Sequence, residues 1–184
     1  MTETDLLLVI HQARSPLLDW FFVVSHYLGT LEVGIVLCLA MATAHHLAGR
    51  RREALAWILV GLAVLAISQV VKPIVARPRP GLWLGPVVIG GWSFPSGHAL
   101  AAAAFYPLLA WSSSPHRPWA RRLTWTVTLV PPLYIGWGRL YLGLHWPTDV
   151  LAGWLLGAIL SGAALSWLRQ GASAQRDSRS RLGG

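Results

Sequence analysis

Between Val150 and Leu168 the chain carries no charged residue, and between Ala54 and Val71 only Ser68 and Gln69 are strongly polar. Each stretch approaches the roughly 20 residues that a helix needs to cross about 30 Å of hydrocarbon. Only 12% of residues are charged while 54% are hydrophobic, against about a quarter charged in a soluble domain. The chain therefore reads as an all-α integral membrane bundle, and its 184 residues suggest one domain.

Breaker residues divide the apolar body into six expected transmembrane helices, over about 16–29, 31–48, 54–76, 96–112, 122–142 and 147–168. The first is short for a crossing. A short amphipathic helix over about 5–14 is expected to lie at the interface, within an N-terminal segment 1–15. The membrane domain spans 16–169, and the Gly-, Ser- and Arg-rich tail over 170–184 is expected to be disordered and cytoplasmic. Pro131 and Pro132 should kink the fifth span. No internal repeat is evident. No basic residue precedes Arg14, which argues against a cleavable signal peptide.

The net charge of +8 does not mark a nucleic-acid binder, because no basic stripe alternates with aromatics in a soluble segment. The basic residues are instead sorted by the spans. With six crossings, Arg14, Arg50, Arg51, Arg52, Arg117, Arg121, Arg122, Arg169, Arg176, Arg179 and Arg181 share one side. The positive-inside rule makes that side cytoplasmic. Lys72, Arg77, Arg79 and Arg139 fall on the other, near the outer ends of spans three and five. Cations on the disfavoured side call for a bound anion. Trp83, Trp92, Trp137 and Trp146 mark the outer boundary, and Trp20, Trp57, Trp111 and Trp167 the inner one. Cys38 is the sole cysteine, so no intrachain disulfide forms.

Three outer segments carry the polar chemistry: Lys72 to Pro80, Phe94 to His98, and Gly138 to Asp149. Ser96 is placed to cap the fourth span, and Gly97 lets an anion approach the free amides of its first turn. Lys72, Arg79 and Arg139 can supply charge-assisted donors to a phosphoryl group. Asp149 sits in the first turn opened by Pro147, four residues after His145. It can reach back to one imidazole nitrogen and leave the other to attack phosphorus. His98 can protonate a leaving oxygen.

At these residues the chain resembles the type 2 phosphatidic acid phosphatase superfamily. Lys72, Arg79 and Pro80 match its Lys-x6-Arg-Pro motif, Pro95 to His98 its Pro-Ser-Gly-His motif, and Arg139, His145 and Asp149 its Arg-x5-His-x3-Asp motif. The resemblance implies metal-independent hydrolysis through a phosphohistidine, with no cofactor. His145 would be the nucleophile, Asp149 its partner and His98 the acid, with Lys72, Arg79, Ser96, Gly97 and Arg139 binding phosphate. The expected substrate is a lipid phosphate or pyrophosphate, such as phosphatidic acid, phosphatidylglycerol phosphate or undecaprenyl pyrophosphate. Membrane lipids are the other expected contact; no nucleic acid and no obligate protein partner is implied. One position departs: the third motif of the family usually begins with serine, where this chain has Gly138.

The same residues admit other readings. Lys72 and Arg79 could snorkel to headgroups, and His145 with Asp149 could be a structural pair. A non-enzymatic anion transporter or channel would place ionisable groups near mid-membrane, whereas here they cluster at span ends. A vanadate-dependent peroxidase shares similar motifs but is a soluble helical protein. Arg77 is secondary to Arg79 by spacing. His45 and His46 are expected at an interface and His116 in a cytoplasmic loop, while His11 and His26 have no partner that sequence identifies.

Overall fold

The computed structural model describes residues 1–114 and 117–182, and beyond Gly171 it describes the backbone alone. His116 lies outside the described residues. Seven helices and no strand occur among those described: α1 (Glu3–Gln12), α2 (Pro16–Leu28), α3 (Leu31–Leu47), α4 (Arg51–Val75), α5 (Gly97–Ser112), α6 (Pro118–Tyr141) and α7 (Pro147–Leu182). Local chemistry fixes the ends. A capping box between Thr2 and Asp5 starts α1, Ser15 caps α2 ahead of Pro16, and Thr30 caps α3. Arg51 and Arg52 open α4 and Arg121 lies inside α6, so these helices start a few residues before the spans expected from 54 and 122. The backbone of α7 continues to Leu182, through the segment expected to be a disordered tail.

The closest packing joins α5 to α7. Ala99 and Ala101 to Ala104 give α5 a flank without bulk, and all are buried. Opposite them, a Cβ at Gly153 would stand 2.7 Å from the Ser96 carbonyl, and one at Gly157 2.7 Å from the Ala103 methyl. Small residues let two backbones approach where lipid offers no hydrophobic drive for association. This contact presses the start of α5, which carries Ser96 and His98, against the start of α7, which carries Asp149.

Directions follow from the contacts. Lys72, Gly97, Tyr141 and Pro147 share one end of the bundle, while Arg52, Ser112 and Trp167 share the other. Two passages over 16–29 and 31–48 would have to run antiparallel, but α2 and α3 are bent by only 48° at their junction. Their contacts confirm a common sense. Ser15 meets Tyr141, Gly29 approaches His98, Gly34 approaches Phe105, and His45 bonds Ser112. The two helices thus run in one sense along the bundle. As a consequence α1, Arg14, Asp19 and Trp20 lie at the Tyr141 end of the bundle, not at the opposite end where the sequence reading put them: Arg14 grips Asp19 at 2.8 Å, and Tyr141 donates to the same carboxylate. Length and apolarity alone qualify α4, the stretch Pro147–Gly171 and the bent α2–α3 pair as membrane spans.

Candidate active site

Every site residue expected from the sequence lies at the Tyr141 end of the bundle. His145 follows α6 in a short turn, and Gly143 supplies the positive φ that the turn needs. His145 as a whole residue is 1% exposed. Nε2 lies 3.1 Å from Arg79 Nη1. A guanidinium only donates, so Nε2 accepts and the proton sits on Nδ1. That Nδ1 stands 3.5 Å from Asp149 Oδ2, an ion-pair separation outside hydrogen-bond geometry. Burial drives the His145 pKa down to about 4; the Asp149 carboxylate opposes the shift and the Arg79 charge adds to it. The imidazole is therefore neutral at ordinary pH, with its Nε2 lone pair toward the cationic side of the site.

Asp149 is fully buried and held from three directions. Oδ2 accepts from the Trp146 amide at 2.8 Å, Oδ1 accepts from Arg77 at 2.6 Å, and its carbonyl accepts from the Ser96 amide at 3.0 Å. Arg77, secondary in the sequence reading, is thus the direct partner of Asp149. Its other nitrogen meets Glu3 at 2.5 Å, and Glu3 in turn accepts from the amide and hydroxyl of Thr148 at 2.9 and 2.8 Å. Burial alone would raise the Glu3 carboxyl, but Thr148 and Arg77 outweigh it and hold its pKa below the usual value. The first helix is in this way bolted onto the start of the last.

Arg79 anchors the loop over 81–95 as well as facing His145. Nη1 donates to the Leu144 carbonyl at 2.7 Å, Nη2 to the Trp92 carbonyl at 3.3 Å, and Nε to the carbonyls of Gly90 and Gly91. Only its contact with His145 points into the site. Ser93 fastens the same loop by bonding the carbonyls of Arg77 and Pro78.

Several other polar atoms of the site lack hydrogen-bond partners among the described residues. Ser96 stands at the N-cap position of α5, but its hydroxyl makes no capping bond, contrary to the expected cap. It is fully buried and unpaired. His98 Nε2 is buried and unpaired too, as are Nε and Nη2 of the fully buried Arg139. Gly97 leaves room for Lys72, whose Nζ would lie 4.0 Å from a Cβ there. Such groups cost free energy unless a ligand satisfies them, and a tetrahedral oxyanion is rich in acceptors. Among the described residues no three of His, Cys, Asp or Glu form a group able to hold a metal ion.

Two residues of α2 also enter the site. His26 Nδ1 lies 2.8 Å from Arg139 Nη1, and its ring stacks on that of His98 at 5.2 Å. Ser25 is fully buried beside Gly138. Sequence could flag His26 only as a histidine within an apolar helix.

A model of the PAP2 superfamily matches residues 53–172, which contain all three motifs. The chain is 36% identical over 98 residues to phosphatidylglycerophosphatase B of Bacillus subtilis, covering 51% of this chain and 47% of that protein. It is 35% identical over 159 residues to decaprenylphosphoryl-5-phosphoribose phosphatase of Mycolicibacterium smegmatis, covering 81% and 80%. The chain thus spans about half the length of the first relative and most of the second. A crystal structure of a transmembrane PAP2-type phosphatidylglycerolphosphate phosphatase from Bacillus subtilis superposes with a TM-score of 0.83 at 25% identity, over 91% of this chain and 85% of that one.

Proposed function

The chain belongs to the PAP2 superfamily, and on that premise we propose that it hydrolyses the terminal phosphate of a membrane lipid through a phosphohistidine. The observation that carries this reading is the set of buried, unpartnered atoms on Ser96, His98 and Arg139 at the same end of the bundle as His145, with His98 and Arg139 close enough to act on its ring electrostatically. The amides opening α5, the Ser96 hydroxyl, Lys72 and Arg139 would take the phosphoryl oxygens, as developing equatorial charge requires.

In the first step His145 Nε2 attacks phosphorus, a P–N bond forms and the ester P–O bond breaks. The imidazole becomes cationic as it is phosphorylated, and Asp149 stabilises it through Nδ1–H. His98 donates its proton to the departing oxygen. In the second step water attacks phosphorus, His98 takes its proton, and His145 leaves as neutral imidazole. The three cations supply the positive charge that a metal ion brings to other phosphoryl-transfer sites, which supports a metal-free reaction.

The substrate class is a phosphate on a lipid-anchored headgroup, a chemistry that both named relatives share. Five passages are proposed in place of six: α2 with α3, then α4, α5, α6 and α7. Ten of the fifteen Lys and Arg then lie toward the end away from the site, and Arg14 joins Lys72, Arg77, Arg79 and Arg139 at the site. The positive-inside rule puts the site and α1 outside the cell and the C-terminus in the cytoplasm.

The test is phosphate release by purified protein from a panel of lipid monophosphates, polyprenyl pyrophosphates and a water-soluble aryl phosphate. Release from at least one lipid phosphate, lost on His145→Ala, is expected. Release from none of them would overturn the reading.

A further inference from the structure

Arg139 sits on α6, and as a fully buried cation it must be aimed by something. Among the described residues no carboxylate pairs with it. Its one side-chain hydrogen-bond partner among them is His26, at 2.8 Å. Because a guanidinium has no acceptor, His26 must accept through Nδ1 and carry its proton on Nε2. One N–H of the guanidinium is thereby committed, while Nε and Nη2 stay unpaired.

The approach of α2 depends on two glycines. At Gly138 an added Cβ would collide with the Ser25 hydroxyl and stand 3.1 Å from Ser25 Cβ. At Gly29 one would lie 2.7 Å from Ile135 and 2.8 Å from the His98 ring. The Ser25 hydroxyl, bonded to the Phe22 carbonyl at 2.6 Å, thus fills the space that a side chain at 138 would occupy. The place where this chain departs from the motif is the place where α2 comes close enough to seat His26.

We propose that His26 is a positioning residue of the phosphate site: as a neutral acceptor it orients the Arg139 guanidinium, and the Gly138–Ser25 contact brings it there. The proposal rests on the phosphatase reading above. A neutral acceptor suits the task better than a carboxylate, which would cancel the charge that Arg139 offers to phosphate. The stacked His26 ring also walls one side of His98 and limits the places its ring can turn.

The experiment measures orthovanadate inhibition, together with kcat and KM on a lipid phosphate, for purified protein and variants. His26→Leu removes the acceptor and is expected to weaken vanadate about tenfold, the scale of one lost bond to a buried charged group. His26→Gln supplies an amide oxygen and should recover to within about threefold. The loss from His26→Leu should vanish in an Arg139→Gln background, since both act through one group. Gly138→Ser should mimic His26→Leu by displacing α2, and Ser25→Ala should rescue it; this pair decides the matter if His26→Leu fails to fold. Vanadate affinity unchanged in His26→Leu, or a loss that is additive with Arg139→Gln, would overturn the role of His26 alone. Wild-type protein that is insensitive to vanadate and releases no phosphate would overturn the phosphatase reading and this proposal with it.

Discussion

Arg79 faces Nε2 of His145 at 3.1 Å while four backbone carbonyls hold the rest of its guanidinium. The cation is thus fixed before any substrate arrives, and it keeps a proton off Nε2. A group whose folded pKa is depressed favours the fold above its unfolded value, here about 6.5. That stability declines as pH falls toward about 4 and is then fully lost. Imidazole 15N resonances of His145 should therefore report a neutral ring at pH 6 and titration near 4. Titration near 6.5 would contradict the arrangement.

The clamp from Glu3 through Arg77 to Asp149 gives the N-terminal helix a catalytic consequence. Arg77→Ala should lower kcat on the order of 10- to 100-fold by releasing Asp149, as small misplacements of catalytic groups do. Glu3→Ala should lower it less, by about tenfold at most, with KM nearly unchanged. Steady-state kinetics on both variants check this, and wild-type kcat in Arg77→Ala would remove the clamp from the mechanism.

The proposed five passages make a topological claim that differs from six crossings. In a Cys38→Ala background, Thr2→Cys and Val88→Cys should both react with an impermeant thiol reagent added to intact cells, and Ser113→Cys should not. With six crossings Thr2→Cys would be protected and Val88→Cys labelled.

Metal chelators should leave activity within about twofold of untreated enzyme, since Lys72, Arg79 and Arg139 already carry the compensating charge. Loss of activity with chelator, restored only by a divalent cation, would count against the proposed chemistry.

The three motifs were legible in the sequence because each sits at a helix end, where a few consecutive residues fix local geometry. His145 and Asp149 needed only the first turn after Pro147 to come within 3.5 Å. The elements were legible for the same reason: Pro16, Gly29 and Pro147 mark real boundaries. Direction was not. Hydropathy scores a segment without saying which way it runs, so the short stretch over 16–29 read as a crossing of its own. The missed residues pair across the chain, with His26 113 positions from Arg139 and Glu3 74 from Arg77, and no local spacing encodes such pairs. Position alone marks Ser96 as a cap, but among the described residues its hydroxyl has no hydrogen-bond partner.

The covalent intermediate is the central claim, and rapid-quench trapping tests it most directly. Purified protein mixed with a lipid phosphate labelled with 32P and quenched in alkali within milliseconds should carry acid-labile, base-stable label. His98→Ala should still accumulate that label from an activated aryl phosphate, whose leaving group needs no proton. His145→Ala should carry none from either substrate. Label retained on His145→Ala, or turnover by wild-type enzyme with no phosphoprotein at any time, would contradict the account.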